Sequence, residues 1–304
     1  MRKRTGKRTL AVLLATMLLA VIAMPAASAA EAQCSTKYPI VLVSGAGFTD
    51  RNYGLANYWG RIPAALQAQG AKIYYGGTDG WCSVESGAAA LKNSVERALK
   101  ETGAAKVNIV AHSKGGVEAR YMISSLGMAG KVASLTTIST PHRGSKAMDM
   151  LLGAPDFLFR MISVAGDAVR LVWGDKHPDF YAGTHSLGSQ YMKDFNEKNP
   201  DMKGVYYQSY AGAMQMPMSD LILALTNLVI RGYDGENDGM VGVESAKWTN
   251  FRGVLRGDGI SGVSHLDEVD LRRNDVKIQK ADNGATDMLG FYVALAADLK
   301  QKGY

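Results

Sequence analysis

Short apolar runs rich in β-branched residues alternate along the chain with longer segments whose apolar residues recur at helical spacing. A run that is apolar at every position fits a strand covered on both faces, as in a parallel sheet flanked by helices. Strand, helix and strand in succession also imply right-handed crossovers. The sequence therefore predicts an α/β chain with a doubly wound, mostly parallel sheet, whose strand runs are YPIVLVSG (38–45), AKIYYGG (71–77), KVNIVAHS (106–113), VASLTTIST (132–140) and GVYYQSYAG (204–212).

Helical spacing is found between these runs, over 56–69, 84–102 and 116–126, but the alternation stops after residue 145. Residues 146–173 are helical in pattern and rich in Leu, Met and Phe. They are interpreted either as ordinary core helices or as a lid, over about residues 145–180, that exposes apolar surface to acyl chains. A helical stretch (220–231), a polar turn (232–239), a long loop to about 282 and a closing helix (286–301) complete the pattern.

The first thirty residues have the three parts of a secretory leader: a basic start, MRKRTGKR, an apolar stretch, LAVLLATMLLAVIAM, and a small-residue run, PAASAA. The apolar stretch is shorter than the roughly 20 residues of a membrane-spanning helix, which disfavours the alternative of an anchor. Residues 1–30 are therefore interpreted as a signal peptide, and residues 31–304 as one secreted, extracellular domain with a single core.

The formal charge of +6 comes mostly from that leader, which holds five basic residues and no acidic one. Without the leader the charge is close to neutral. Charge therefore gives no reason to expect a nucleic-acid partner.

The sequence contains two cysteines, Cys34 and Cys82. An even number in an exported chain suggests one disulfide, which would tie the mature N-terminus to a loop after an early strand. Two thiols are the alternative. Lipid attachment at Cys34 is disfavoured, because the preceding residues, EAQ, lack the small residue that such a cleavage point needs.

Ser113 ends the third apolar run, in the segment VNIVAHSKGG (107–116). A serine nucleophile at the end of a central strand needs a turn so tight that the residues two before and two after it carry almost no side chain. Ala111 and Gly115 meet this requirement, and a helical pattern follows. Ser113 is therefore predicted to be a catalytic nucleophile, against the alternative of an ordinary loop hydroxyl.

Such a serine needs a histidine base oriented by a carboxylate, and in this kind of sheet they follow the serine in the order acid, then histidine. Of the five histidines, only His265, in GDGISGVSHLDEV, follows a plausible acid loop. Asp238, in GENDGMVG, is the predicted acid, and Asp234 is the alternative. Each of these residues alone would be read as a surface hydrogen-bonding group.

Two backbone amides are expected to face the oxyanion of acyl transfer. Lys114 directly follows the nucleophile at a helix N-terminus, and Ala46 lies in the glycine-containing loop SGAGF (44–48) after the first strand. A plain strand-to-helix turn is the alternative for that loop. The side chain of Lys114 is assigned no proton transfer and is expected to be solvated.

Six segments between residues 38 and 270 together resemble the secreted bacterial triacylglycerol lipases of the Pseudomonas-type true-lipase group, which have the α/β-hydrolase fold: YPIVLVSG, YWGRIPAALQAQGAKIY, VNIVAHSKGG, ISTPHRGS, ENDGMVGV and SHLDEVD. The resemblance implies that Ser113, Asp238 and His265 are the catalytic triad and that the amides of Ala46 and Lys114 form the oxyanion hole. It also implies a helical lid within 145–180. Some members need a dedicated folding chaperone, a partner that this sequence does not decide.

The resemblance further implies a structural calcium ion that steadies the histidine loop. Its carboxylate ligands would be Asp220 and Asp267, and backbone carbonyls after His265 would add further ligands; hard oxygen ligands of this kind suit calcium. A helix cap is the alternative role for Asp267. One departure lies in this loop, where Leu271 replaces a polar residue of the family.

Two other departures concern the site and the cysteines. Ser44 and Gly45 stand where the family has His-Gly at the end of its first strand, which bears on the hydrogen bonds of the oxyanion loop. Glu244 stands where relatives carry a disulfide cysteine, so a bridge between the two cysteines of this chain would differ from theirs.

The sequence thus predicts a monomeric, secreted serine lipase that hydrolyses carboxylic esters of acylglycerols at an oil–water interface. The alternatives within enzymes are a short-chain esterase, a phospholipase or acyltransferase, and a polyester depolymerase. A binding module without catalysis is the alternative from another class, because a fold does not fix a function.

Overall fold

The computed structural model describes residues 32–47, 57–78, 80–172 and 178–304. The chain from Cys34 to Tyr304 forms one compact unit. The predicted signal peptide, residues 1–30, lies outside the described residues, as do residues 173–177 of the predicted lid. In the part that is described, no helix is both long and apolar enough to cross a membrane.

Six strands form one sheet: β1 (Ile40–Val43), β2 (Ile73–Tyr75), β3 (Val107–His112), β4 (Val132–Ile138), β5 (Tyr206–Ala213) and β6 (Phe251–Arg256). Their order across the sheet is β2-β1-β3-β4-β5-β6, and every neighbouring pair is parallel. The prediction of an α/β chain with a parallel sheet is therefore confirmed.

Strand β6 lies within the segment that the sequence analysis assigned to a long loop, so that assignment is wrong for residues 251–256. Its sequence, FRGVLR, contains two arginines and a glycine, and Leu255 is its one fully buried residue. An edge strand has one neighbour and stays partly exposed, so it lacks the continuous apolar pattern of the central strands.

Ten α-helices are present in the described residues: α1 (Ile62–Ala68), α2 (Val84–Thr102), α3 (Lys114–Ser124), α4 (Lys146–Leu152), α5 (Asp156–Val172), α6 (Phe180–His185), α7 (Ser189–Lys198), α8 (Ala224–Asp234), α9 (Val243–Ala246) and α10 (Met288–Gln301). Helix α2 has the predicted bounds. It begins after Ser83, whose side chain accepts a hydrogen bond from the Ser86 amide. It ends at Gly103, whose φ of 68° is a left-handed conformation that glycine adopts with little strain.

The helices cover both faces of the sheet, which explains why its central strands β1, β3 and β4 are buried at every position. On one face, Ile40 and Leu42 of β1 pack in a cluster with residues of α1 and α10. On the other face, Val41 and Val43 pack with residues of α2 and α3. Alternate side chains of one strand therefore enter two different cores.

The segment after β4 is helical, as its pattern predicts. It forms α4 and α5, and α4 packs against α5, α6 and α8. The sequence analysis did not predict α6 and α7, which continue this helical layer before the chain returns to the sheet at β5.

The predicted disulfide is wrong, because Cys34 and Cys82 both carry thiols. Cys34 is buried in the core formed with α1 and α10, where its Sγ lies 3.5 Å from the carbonyl oxygen of Val293. Cys82 lies on the opposite side of the sheet, with its Sγ 3.5 Å from Nζ of Lys114. The sheet separates the two sulfur atoms, which a disulfide would have to bring within about 2 Å of each other.

Candidate active site

Ser113 lies in the turn between β3 and α3. Its φ of 55° and ψ of −131° place a non-glycine residue in a rarely populated backbone region. The turn is held by a hydrogen bond from the Ser113 amide to the carbonyl oxygen of Ile138, 3.0 Å away on β4. Strain of this kind persists where the surrounding structure imposes it, and it is frequent at catalytic nucleophiles.

Small neighbours are a packing requirement of this turn. A Cβ atom on Gly115 would lie 2.4 Å from the carbonyl oxygen of Ser44, and a Cβ on Gly45 would lie 2.6 Å from Cβ of Ser113. Ala111 is fully buried two residues before the serine. The loop after β1 therefore runs directly against Ser113, as the sequence analysis expects for an oxyanion loop.

Asp238 and His265 form a buried pair. His265 Nδ1 lies 2.7 Å from Asp238 Oδ2, and the His265 amide donates to the Asp238 carbonyl oxygen at 2.9 Å. The other carboxylate oxygen, Oδ1, accepts hydrogen bonds of 2.8 Å from the amides of Met240 and Val241. The predicted acid is thus the carboxylate that contacts the histidine, whereas Asp234 lies at the end of α8 beside Gly242.

Charge on Asp238 is favoured in spite of its burial. Burial alone would raise the pKa of Asp238, but the charge and hydrogen bond of His265 and the amides of Val241 and Met240 lower it below its ordinary value. Asp238 is therefore ionised at neutral pH and can hold the imidazole in one orientation.

Two buried asparagines support the acid loop. Nδ2 of Asn227, on α8, donates to Oδ1 of Asn237 at 2.7 Å, and Nδ2 of Asn237 donates back to the Asn227 carbonyl oxygen at 3.2 Å. The Gly239 amide also donates to Oδ1 of Asn237, at 2.9 Å. These contacts fix the backbone on both sides of Asp238, and nothing in the sequence pattern singled them out.

His112 belongs to a second buried network beside the first. Its Nδ1 lies 2.5 Å from the Tyr58 hydroxyl, and its Nε2 lies 2.8 Å from Glu268 Oε2. The Ser139 hydroxyl donates to Glu268 Oε1 at 2.7 Å. The ring centroids of His112 and His265 are 4.3 Å apart, so this network adjoins the histidine of the first.

The groups of this second network are neutral at neutral pH. Burial, followed by the charge of Asp238, raises the pKa of Glu268 well above its usual range. Burial, followed by His265, lowers the pKa of His112 well below its usual range. Glu268 therefore keeps its proton, whereas the negative charge lies on Asp238.

Sequence reasoning missed Glu268, His112 and Tyr58. A signal existed for the first two, because Glu268 follows His265 by three residues and His112 precedes Ser113 directly. Among the described residues, His112, His265 and Glu268 are also the group whose ligand-type atoms come within 4.8 Å of one another. Those atoms already serve the two hydrogen-bonded networks, so the grouping is explained without a metal.

Lys114 directly follows Ser113 in the chain, and Ala46 directly follows Gly45, whose backbone runs against Ser113. Lys114 is the first residue of α3, so its amide belongs to the helix end that carries partial positive charge. Ala46 is half-buried and packs against the apolar cluster around Trp81 and Val117. Among the described residues, neither amide donates a hydrogen bond within the protein.

The side chain of Lys114 is buried, which corrects the expectation that it is solvated. It forms an ion pair with Glu118, one helical turn further along α3, and each side chain is 1 % exposed. Burial lowers the pKa of Lys114, but Glu118 and Cys82 together raise it by more than burial lowers it, so the ammonium stays charged. This pair anchors the first turn of α3, and with it the amide that borders Ser113.

Replacing Glu118 by alanine is expected to cost about 3–5 kcal/mol of unfolding free energy, because the Lys114 ammonium would be left buried without its carboxylate. Replacing both partners, Lys114→Met with Glu118→Leu, should restore most of that loss. Glu244→Ala is the control, since Glu244 and Lys247 form an exposed pair worth less than about 1 kcal/mol. Denaturant unfolding measures all three, and equal losses for Glu118→Ala and Glu244→Ala would contradict the account.

The two carboxylates predicted to bind calcium lie near each other, but an arginine lies between them. Arg272 NH2 donates to Asp220 Oδ2 at 2.7 Å, and Arg272 NH1 lies 4.0 Å from Asp267 Oδ1. Asp267 Oδ2 accepts hydrogen bonds from the amide and hydroxyl of Ser264, at 3.2 and 2.9 Å. Asp267 therefore caps the turn that carries His265, and the donor set around the two carboxylates does not fit a calcium ion.

Comparison with known proteins gives the same class as the fold and site. A triacylglycerol lipase of Vibrio cholerae is 32% identical over 260 residues, which cover 77% of this chain and 80% of that protein. A triacylglycerol lipase of Burkholderia plantarii is 39% identical over 160 residues, or 50% of this chain. That match spans only 44% of the Burkholderia protein. No protein-family profile matches the chain.

The crystal structure of the Staphylococcus hyicus lipase has the same fold, with a TM-score of 0.63 and 19% identity over 88% of this chain and 96% of that chain. The six-stranded parallel sheet with helices on both faces is that of the α/β-hydrolase fold. The chain belongs to the triacylglycerol lipase family.

Proposed function

We propose that the protein is a secreted serine lipase that hydrolyses the carboxylic esters of acylglycerols through Ser113, His265 and Asp238. The observation that carries the proposal is the Asp238–His265 pair, 2.7 Å between Oδ2 and Nδ1, beside the strained turn of Ser113. Membership of the triacylglycerol lipase family supports the same substrate class.

The proposed reaction begins when the Ser113 hydroxyl attacks the ester carbonyl carbon. His265 takes the serine proton at Nε2, because its Nδ1 is engaged by the ionised Asp238. The carbonyl oxygen becomes an oxyanion, and the proposal assigns its stabilisation to the amides of Ala46 and Lys114.

The tetrahedral intermediate then collapses and expels the alcohol, which receives the proton from His265. An acyl-enzyme remains on Ser113. Water attacks this ester with His265 again as the base, and the fatty acid leaves while the serine recovers its proton. Every step uses groups of this chain and water alone.

An apolar surface favours a lipid interface over a small soluble ester. Phe157 on α5 is 74% exposed and Leu225 on α8 is 70% exposed, and α4 packs against both of these helices. Further large apolar side chains are exposed in α4, α5 and α8 and in the segment that precedes α8: Met150, Met161, Val164, Met216, Met218, Leu221, Ile222 and Leu228. Surface of this extent is unusual for a soluble protein unless it contacts lipid or another partner.

Activity against chain length tests the proposal. Emulsified long-chain triacylglycerol and a soluble short-chain ester are offered to the same preparation, and a fluorophosphonate probe reports the reactive serine. Turnover of the emulsion together with labelling at Ser113 is expected. Turnover of the short ester alone would make the protein an esterase, and absence of labelling in folded protein would contradict a serine hydrolase.

Charge placed on the apolar surface is expected to affect the two substrates differently. Phe157→Asp and Leu225→Asp should each lower turnover of the emulsion roughly tenfold or more, because each removes an apolar contact of about 1.5–3 kcal/mol. Both positions are exposed, so turnover of the soluble short ester should stay within about twofold of the parent value.

Lys100→Glu is the control for this pair of variants, because Lys100 is an exposed residue on α2 and the substitution changes charge away from α5 and α8. Emulsion turnover should be unchanged in this variant. Equal losses on both substrates in Phe157→Asp and Leu225→Asp would contradict the interfacial role of the surface.

Movement of α4 and α5 as a lid over Ser113 is part of the proposal, as is export directed by residues 1–30. The leader has the three parts of a signal peptide. Mass spectrometry of protein recovered from the culture medium tests export, and it should find an N-terminus near residue 31. A monomeric state remains a prediction from the sequence, and the sequence does not decide whether a folding chaperone is a partner.

A further inference from the structure

The turn that carries His265 is tied to the rest of the protein by two arginines. Arg61 forms paired hydrogen bonds with Asp270, with its NH2 2.8 Å from Oδ1 and its Nε 2.9 Å from Oδ2. Arg272 reaches in the other direction, to Asp220, with its NH2 2.7 Å from Oδ2. Residues 265–272 are therefore fixed on both sides by charge-assisted hydrogen bonds.

Asp220 is the buried member of the second contact, with a side chain that is 0% exposed. Its Oδ1 accepts hydrogen bonds from the amides of Ile222 and Leu223, at 3.1 and 3.3 Å. Its Oδ2 accepts from Arg272. Both oxygens thus have partners, and the charge of a fully buried carboxylate is balanced by the guanidinium.

This arrangement leaves too few oxygen ligands for calcium. A calcium ion needs six to eight oxygen atoms. Asp267 Oδ2 is engaged by Ser264, the residue before His265, and Leu271 offers no side-chain oxygen. A cation already occupies the space between Asp220 and Asp267, since the two ends of the Arg272 guanidinium lie 2.7 and 4.0 Å from their oxygens.

We propose that Arg272 takes the place of a structural calcium ion, by joining the Asp220 segment to the turn that carries His265 with its own positive charge. Arg272 is a positioning residue, because it acts on His265 through Asp267, Ser264 and the backbone of the turn. The catalytic part of this inference rests on the proposed function. The binding part, indifference of the protein to calcium, does not.

The Arg272 guanidinium and a calcium ion cannot occupy the space between Asp220 and Asp267 at the same time. When the guanidinium is removed, the carboxylates of Asp220 and Asp267 are left without the cation that lies between them, and carboxylate oxygens are ligands that calcium prefers. A variant without the arginine should therefore acquire the calcium dependence that the parent protein lacks.

The experiment compares the full protein with Arg272→Met and Arg272→Lys. The melting temperature is measured in chelator and in about 5 mM calcium, which is above the concentrations at which extracellular calcium-binding modules are saturated. Calorimetric titration with calcium chloride measures binding directly. In the parent, neither condition should shift the melting temperature. In Arg272→Met it should fall by roughly 5 °C in chelator and recover with calcium. Arg272→Lys keeps a cation and should remain indifferent.

Arg252→Met is the matched control. Arg252, on β6, forms a comparable, partly exposed ion pair with Asp282, and its Nε lies 2.6 Å from Asp282 Oδ2. Loss of that pair should lower the melting temperature without creating any response to calcium. A similar calcium response in Arg272→Met and Arg252→Met would overturn the proposal.

Two results in the parent protein would also overturn the inference. One is calcium binding detected by calorimetry, and the other is a fall of roughly 5 °C in its melting temperature when chelator is added. Turnover of a soluble ester is measured alongside, and in Arg272→Met it should fall roughly tenfold and recover with calcium. If no variant or parent hydrolyses esters while the melting temperatures behave as stated, the proposed function fails and the cation replacement stands.

Discussion

Ser113→Ala is expected to lower kcat for ester hydrolysis by roughly 10⁶-fold, the effect of removing the nucleophile from a serine, histidine and aspartate set. The substituted methyl group cannot attack the ester carbonyl, and the remaining amides and histidine supply only a small residual rate. The fold should be preserved, because the amide of residue 113 still donates to the Ile138 carbonyl oxygen. Turnover of a soluble ester, with circular dichroism on the same samples, measures both.

Ser113→Gly separates the strained backbone from the chemistry. Glycine adopts a φ of 55° without the strain that serine has there, so this variant should be inactive yet more stable than Ser113→Ala by about 1 kcal/mol. Ser134→Ala is the control, since its hydroxyl donates to Asn108 Oδ1 at 2.8 Å near the start of β4. It should cost about 1 kcal/mol of stability and leave kcat unchanged. Residual activity above about one hundredth in Ser113→Ala would show that another residue is the nucleophile.

Asp238→Asn is expected to lower kcat by roughly 10⁴-fold through the tautomer of His265. The amides of Met240 and Val241 both donate to Oδ1, so an asparagine must keep its oxygen on that side and turn its NH₂ group toward His265. The NH₂ group then donates to Nδ1, and the ring proton moves to Nε2. A ring protonated at Nε2 cannot accept the proton of Ser113.

The same variant has a pH-dependent cost in stability. Because the pKa of Asp238 is lowered in the folded protein, its carboxylate stabilises the fold above the unfolded pKa of about 4, and this contribution is lost as the pH falls through the folded pKa. Asp238→Asn should therefore be less stable than the parent by roughly 1–3 kcal/mol at pH 7, with the gap closing on acidification.

Asp234→Asn is the control for Asp238→Asn, because Asp234 precedes the same loop and is the alternative acid of the sequence analysis. Its kcat should stay within a few-fold of the parent. Kinetics on a soluble ester at pH 7 and 8, and denaturant unfolding from pH 4 to 8, test both variants. A fall in Asp234→Asn as large as in Asp238→Asn would contradict the assignment of the acid.

Local chemistry made several elements predictable. Strands β1, β3 and β4 could be located because a strand that is buried on both faces has a mostly apolar sequence. The position of Ser113 followed from steric need, since Ala111 and Gly115 leave room that larger residues would fill. His265 was identified by elimination among five histidines. The pairing of Asp238 rather than Asp234 with His265 required the structure.

Other features were beyond a reading of the sequence because their partners are remote. Strand β6 has no apolar run, since it is an edge strand with one neighbour. The raised pKa of Glu268 depends on burial, which is a property of the packed protein. The disulfide prediction failed because the number of cysteines does not reveal which face of the sheet each thiol occupies.

The sequence by itself determined the class of fold, the turn at Ser113 and the order of the serine, acid and histidine, because periodicity, steric limits and chain order are local properties. The tertiary structure decided which titratable groups meet: Lys114 with Glu118, His112 with Glu268, and Arg272 with Asp220. The members of the last two pairs are 156 and 52 residues apart. The strength of an electrostatic interaction and the protonation state of a buried group depend on distance and burial, and chain folding sets both.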